Sequence, residues 1–190
     1  MVATIELARE FEQSNGLSVE EFANLPGVDG KRYELVAGVL VETGQTGDEH
    51  GRVMDKLNRR LGDYVEANNL GRTYPPTGFV LAPRTVRVPD VGFLVRERVP
   101  LEPLRGSVPF APDLAVEIVS PTDIWYEVRD KVTAYQRAGT ALVWVIFPPD
   151  KLVFVYRLNE PLVKILDINS ELDGESVVPG FKLKVGVHFE

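Results

Sequence analysis

Asp90 and Glu117 are the residues whose types and surroundings most directly suggest chemistry. Each lies in an apolar, extended-looking run: Val86-Arg-Val-Pro-Asp-Val-Gly-Phe-Leu94 and Leu114-Ala-Val-Glu-Ile-Val-Ser120. The second run is apolar on both faces apart from Glu117, the pattern of a central strand covered on both sides. An ionised carboxylate there costs several kcal/mol, on the order of the penalty for a buried ion, unless something pairs with it. By strand alternation Val86, Val88 and Asp90 share one face, while Leu114, Val116 and Ile118 face away from Glu117, so the two carboxylates can converge on neighbouring strands. A shared divalent cation would satisfy both. Downstream, Lys131 lies in a helical stretch with Asp130 before it and Tyr135 one turn beyond. A helix that leaves a strand packs back over it, so a lysine on its inner side can reach the carboxylates. Two carboxylates, a cation and a lysine suffice for phosphodiester hydrolysis. The metal polarises the phosphate and lowers the pKa of a water, and the lysine stabilises developing negative charge. Simpler readings stand beside this one: Glu117 ion-paired to a buried arginine or lysine without metal, Lys131 solvated and paired with Glu127 at i−4, and Tyr135 a core residue.

The elements that must position these residues follow from pattern. Ser18 with Glu21 three residues later forms a capping-box signature for a short helix ending near Leu25-Pro26-Gly27. The run from Tyr33 to Glu42 reads as a hairpin about Ala37-Gly38, where Glu34 can cap a backbone group or pair with Arg32. From His50 to about Asn68, Val53, Leu57, Leu61 and Tyr64/Val65 recur at helical spacing, with Arg52, Lys56 and Arg59 on the outer face and Gly71 as a stop. Extended runs follow at about 77–82, 86–95 and 113–119, with a Pro-rich loop between the last two. Next comes a helix from about Ile124 to Ala138, capped by Thr122 or Asp123 and stopped at Gly139. Leu142 to Phe147 is a second wholly apolar strand. Shorter strands close the chain, among them Leu152 to Tyr156, with a turn at Asp173-Gly174. A helix between two buried runs implies a right-handed parallel crossover within a mixed sheet. The fold class is α/β with antiparallel additions, and no repeat or linker divides the 190 residues, so one domain is expected over 1–190 with an N-terminal arm at 1–16.

Composition narrows the chemistry. With no cysteine and two histidines, His50 and His188, disulfides, thiol nucleophiles, thiolate zinc sites and histidine-rich metal sites are excluded. Any metal is therefore oxygen-bound, which favours Mg²⁺ or Mn²⁺. No segment approaches the run of about 18 apolar residues that spans a bilayer, and the acidic N-terminal stretch is unlike a signal peptide, so a cytoplasmic, membrane-free protein is expected. The net charge of −7 argues against a nucleic-acid partner. Its distribution is uneven, however: residues 51–110 carry 10 Lys+Arg against 6 Asp+Glu. That excess suits either a positive groove on an acidic body or a solvated helix face.

These residues carry a resemblance. Tyr33-Glu-Leu35 with Gly38, His50 opening a helix, Val88-Pro-Asp90, Val116-Glu-Ile-Val-Ser-Pro121, Asp130-Lys131 with Tyr135, and a glycine before a Trp-containing strand resemble, in that order, the Uma family of putative restriction endonucleases. That family is a branch of the PD-(D/E)xK nuclease superfamily, and the likeness runs from about Leu17 to Tyr156. It implies a restriction-endonuclease-like mixed sheet flanked by helices and a metal-dependent endonuclease acting on DNA. It further implies Asp90 and Glu117 as metal ligands, Lys131 as the stabilising cation, and Glu34 and His50 as supporting catalytic residues, His50 as proton relay or outer ligand. Two departures stand out. The superfamily's lysine two residues after the glutamate is Val119 here, so its role would pass to Lys131, a displacement usual in this family. Where the family often has Glu-Tyr-Trp and an Asp-Pro end, this chain has Leu142-Val143-Trp144 and Phe147-Pro148. The alternative is a nuclease-fold binding module for nucleic acid or protein that lacks catalysis. Cleaving a duplex needs two sites, so a homodimer is expected of the enzyme.

Overall fold

The sequence patterns resolve into two antiparallel-rich sheets that meet at the Asp90 segment. In the computed structural model, residues 16–25, 32–44, 47–120 and 123–189 are described. The expected N-terminal arm up to residue 15, Thr122 as a helix cap and the His188 side chain lie outside them. The first helix, α1 (Val19–Ala23), carries the reciprocal capping box: the Glu21 amide donates to Ser18 Oγ (3.2 Å) and the Ser18 amide donates to the Glu21 carboxylate (2.7 Å). Strands β1 (Arg32–Val36) and β2 (Val39–Thr43) form the hairpin, with Ala37 and Gly38 both at positive φ, 51° and 87°. Positive φ at both central residues is the primed turn whose twist matches that of the strands.

Helix α2 (Asp48–Ala67) buries Val53, Leu57, Leu61 and Val65, the stripe read from the sequence. It starts one half-turn before His50, with Gly47 as its cap. Its end also differs from expectation. Asn69, at φ 55°, takes the left-handed position, while its amide donates to the Glu66 carbonyl and that of Leu70 to the Val65 carbonyl, closing a Schellman motif. Gly71 is instead the first residue of β3 (Gly71–Tyr74), where φ is 154° and a Cβ would meet the Leu94 carbonyl oxygen at 2.0 Å.

The expected single run 86–95 is two strands. After β4 (Phe79–Ala82), β5 (Thr85–Arg87) joins a four-stranded sheet in the order β2-β1-β5-β4, while β6 (Val91–Val95) belongs to another. The chain changes sheets at Val88-Pro89-Asp90, where Pro89 has no amide to donate to a ladder. The second sheet has six strands, β10-β9-β8-β7-β6-β3, made with β7 (Leu114–Ile118), β8 (Leu142–Phe147), β9 (Leu152–Arg157) and β10 (Lys164–Leu166). In this sheet β7 and β8 pair in parallel, joined by α3 (Trp125–Arg137) as the strand, helix, strand pattern requires. A two-stranded ribbon, β11 (Glu171–Asp173) with β12 (Lys182–Lys184), follows.

Alternation along β7 divides the core. Leu114, Val116 and Ile118 pack with the α2 stripe, Phe93, Trp144 and Phe181, whereas Ala115 packs with Val143, Val145 and the α3 residues Val128, Val132 and Tyr135. Glu117 is in phase with Ala115 and so faces α3. That helix ends as predicted, with Gly139 at φ 93° in a second Schellman motif. Its start does not follow prediction: Ile124 occupies the cap position without a side-chain bond, and the Asp123 carboxylate accepts from the Ser120 amide (2.7 Å), bracing the preceding loop. Among the described residues no helix is long and apolar enough to cross a membrane.

Candidate active site

Five elements bring the candidate residues to one point. Glu117 is 6% exposed in the middle of β7. Its Oε2 accepts from Lys131 Nζ (2.9 Å) and its Oε1 from the Tyr135 hydroxyl (2.7 Å). Lys131 and Tyr135 are four residues apart on α3, so they present two donors on one helix face to one carboxylate. The structure thus turns Lys131 inward and does not pair it with Glu127. Glu34 on β1 is 1% exposed; it accepts from Arg87 Nη1 (2.7 Å) and from the Val88 amide (2.8 Å), with Lys131 Nζ 3.6 Å away. The sequence allowed a backbone group or Arg32 as its partner; the Val88 amide is the backbone group, and the arginine differs. Arg87 takes that place because β5 lies beside β1, with Leu35 opposite Val86, so the arginine approaches across the strands.

Asp90 lies between the sheets. Its amide donates to the Val116 carbonyl (2.9 Å), and its Oδ2 accepts from the Ile118 amide (2.7 Å), which straddles Glu117 with two backbone links. His50, on the first turn of α2, places Nε2 3.2 Å from the same Oδ2. Glu34, His50, Asp90, Glu117 and Lys131 are therefore gathered together. Arg87 and Tyr135 join them without having been singled out as site residues. Glu117, Asp90, His50 and Lys131, with Arg32, Pro76, Ser120 and Asp123, border a cleft of about 90 Å³. On the other side of the Lys131–Glu117 pair a cavity of about 280 Å³ opens between the β1–β2 hairpin and α3.

The electrostatics follow from burial and crowding. Burial pushes the Glu117 carboxyl up to about 7, the Asp90 and Glu34 charges add to that, and Lys131 and the Tyr135 hydroxyl oppose it. Burial works to lower Lys131, but the carboxylates of Glu117 and Glu34 outweigh it and hold the ammonium above the usual lysine range. His50 shows the same contest: burial lowers it, and the hydrogen bond and charge of Asp90 raise it overall. Burial and the neighbouring Glu117 charge keep the Tyr135 phenol protonated, as a donor must be.

Three carboxylates face two fixed cations, Arg87 and Lys131, so with His50 neutral the cluster has room for one more positive charge. Both contacts of Asp90 fall on Oδ2, and each oxygen of Glu117 accepts a single hydrogen bond where a carboxylate offers about four lone-pair sites. Among the described residues no group of three or more His, Asp or Glu side chains forms a ready cage. Two carboxylates beside open space instead match the way Mg²⁺ is held, by one or two carboxylates with water and substrate oxygens completing the shell. The residues fit a hard divalent ion. On α2, Arg52 pairs with Asp48 (3.2 Å) and Arg59 with Asp55 (2.6 Å) along an exposed face, the solvated-helix arrangement that the central charge excess allowed.

Comparison with known proteins agrees with the architecture. A family model described as "Uma2: Putative restriction endonuclease" matches residues 19–186. The crystal structure of a putative nuclease belonging to DUF820 from Anabaena variabilis ATCC 29413 superposes with a TM-score of 0.80 at 21% identity, covering 91% of this chain and 97% of that one. The two share a fold. No protein of curated function matches the sequence.

Proposed function

Because the chain belongs to the Uma2 family of putative restriction endonucleases, we propose that it is a divalent-metal-dependent endonuclease that hydrolyses DNA phosphodiester bonds. The observation that carries this reading is the convergence of Asp90, Glu117 and Lys131 at one cleft, with negative charge in excess. Asp90 and Glu117 would hold Mg²⁺ or Mn²⁺. The bound ion would supply polarisation of the phosphate and acidification of a water. Lys131 carries three ammonium protons; Glu117 accepts one at 2.9 Å, and Glu34 stands 3.6 Å away as an ion-pair partner, which leaves a proton for a phosphoryl oxygen as charge develops. Glu34, itself anchored by Arg87 and the Val88 amide, holds the ammonium on the cleft side of α3. His50 Nε2, beside Asp90, is placed to hold or release a proton at the edge of the cleft. Two such sites cut a duplex in a homodimer.

One observation favours a second reading, a nuclease-fold binding module without catalysis: Lys131 and Tyr135 already occupy both oxygens of Glu117, and a lysine is absent at position 119. Incubating supercoiled plasmid and single-stranded DNA with the protein in Mn²⁺, Mg²⁺ or EDTA separates the two. The enzyme reading requires metal-dependent nicking that Asp90→Ala abolishes. Equal behaviour of wild type and Asp90→Ala, with Mn²⁺ leaving thermal stability unchanged, refutes it.

A further inference from the structure

Tyr135 lies at the centre of the structure, fully buried, with a hydroxyl that a phenylalanine would have made unnecessary for packing. A buried phenol needs a partner, and this one is given to Glu117 Oε1 at 2.7 Å. The other oxygen is held by Lys131 at 2.9 Å, but the two holds differ in kind. Lys131 ends a flexible four-carbon stem, is partly exposed, and stands 3.6 Å from a second carboxylate, Glu34. Tyr135 is rigid, its ring is packed among Ala115, Val128, Val132, Val143 and Val145, and among the described residues its hydroxyl donates to Glu117 alone. In the hydrolysis proposed above, Lys131 turns part of its charge to the phosphate, and its hold on Glu117 weakens when the carboxylate must stay aimed at Asp90.

We propose that Tyr135 is a positioning residue. Its hydroxyl fixes the Glu117 carboxylate beside Asp90 independently of Lys131, so that a divalent cation finds both ligands in place. This deepens the nuclease reading and rests on it for the cation. The geometric part, that Tyr135 holds Glu117, stands apart from that reading. The role follows from the spacing of the helix. Residues 131 and 135 are one turn apart, so a single helix face supplies one donor that can move and one that cannot. Removing such an outer hydrogen bond lowers metal affinity or activity by about 10- to 100-fold in comparable sites.

The test uses the full chain with two substitutions and two readouts. Mn²⁺ titration followed by thermal shift is expected to need at least about tenfold more metal in Tyr135→Phe than in wild type. The kcat for DNA cleavage should fall in parallel, while KM stays within about twofold, since the phenol contacts no substrate. A crystal structure of metal-free Tyr135→Phe is expected to show Glu117 displaced or in more than one rotamer. In Lys131→Met, which serves also if Tyr135→Phe fails to fold, Glu117 should keep its place. An unchanged Glu117 in Tyr135→Phe, a displaced Glu117 in Lys131→Met, or a Mn²⁺ midpoint in Tyr135→Phe within twofold of a metal-binding wild type overturns the assignment. If wild type takes up no Mn²⁺ and cleaves nothing while Glu117 still moves in Tyr135→Phe, the nuclease reading falls and the positioning stands.

Discussion

Replacing Glu117 by glutamine should reverse its effect on stability according to whether a divalent cation is present. Glutamine keeps the shape and an oxygen for the Tyr135 hydroxyl but never ionises. In the metal-free protein the carboxyl is raised from its ordinary 4.5 to about 7, chiefly by burial. A group whose folded pKa is raised stabilises fully below its unfolded pKa, and that contribution is lost as pH rises through the folded value. The window here is pH 4.5 to 7. Integrating the linkage from pH 5 to pH 8, wild type should lose on the order of 2–3 kcal/mol relative to Glu117→Gln. His50, which Asp90 raises above its ordinary value, is present in both proteins, so the comparison removes most of its contribution. Urea denaturation in EDTA at the two pH values measures the difference. In Mn²⁺ at a hundred times its Kd, wild type should regain about 2.7 kcal/mol that the variant, short of one ligand, does not. A wild-type-to-variant difference that is flat with pH in EDTA refutes the burial argument for Glu117. Equal stabilisation of both proteins by Mn²⁺ refutes its assignment as a ligand.

Asp90→Ala removes the acceptor of the Ile118 amide and the partner of His50, and should destabilise the metal-free protein by about 1–3 kcal/mol while abolishing any Mn²⁺ thermal shift. A Mn²⁺ shift that survives the substitution would move the metal elsewhere. Arg87→Met leaves Glu34 buried with the Val88 amide and a more distant lysine, and a loss of about 3–5 kcal/mol is expected in urea denaturation; a loss below about 1 kcal/mol would refute the dependence of Glu34 on Arg87. Gly71→Ala drives a Cβ into the Leu94 carbonyl oxygen at a φ of 154°, so about 1–3 kcal/mol should be lost. An unchanged melting temperature would contradict the close approach of β3 to β6.

What the sequence made legible was mostly local. The capping box at Ser18, the turn at Ala37-Gly38, the α2 stripe and the parallel β7–α3–β8 unit each follow from a pattern within one or two elements. Glu117 was legible too, because an isolated carboxylate in an apolar strand has few explanations. What escaped depended on which elements lie side by side. Alternation treats residues 86–95 as one strand and cannot say that the chain changes sheets at Pro89. The exchange of Arg32 for Arg87 as partner of Glu34 depends on β5 lying beside β1, a long-range pairing that no local spacing encodes. Tyr135 read as core, and it is core, but a buried phenol must place its hydroxyl somewhere, and that requirement was the available signal.

The phase of β7 sets the surroundings of Glu117 and of position 119. Glu117 and position 119 point to the same side of the sheet, toward α3, where Val119 packs against the cluster of Val128, Val132, Val143 and Val145. Val119 also borders the cavity that Glu34, Glu117 and Lys131 line, so the side of β7 that carries Glu117 has an apolar residue at its end where a second charge could have stood. Lys131 enters the same space from the helix side, with Glu34 on the neighbouring sheet to receive it. The resulting row runs Arg87, Glu34, Lys131, Glu117, Tyr135, alternating in charge and ending in a neutral donor, and it links both sheets through α3. Lys131 is thus held in place by the two carboxylates it bridges, Glu34 and Glu117. That arrangement is rigid only while both sheets are docked. Perturbations of the four-stranded sheet, far in sequence from Glu117, should consequently weaken metal affinity as well as stability. Arg87→Met is the sharpest instance: its Mn²⁺ midpoint should rise at temperatures where the fold is intact, and a midpoint equal to wild type would show that Lys131 holds its place without Glu34.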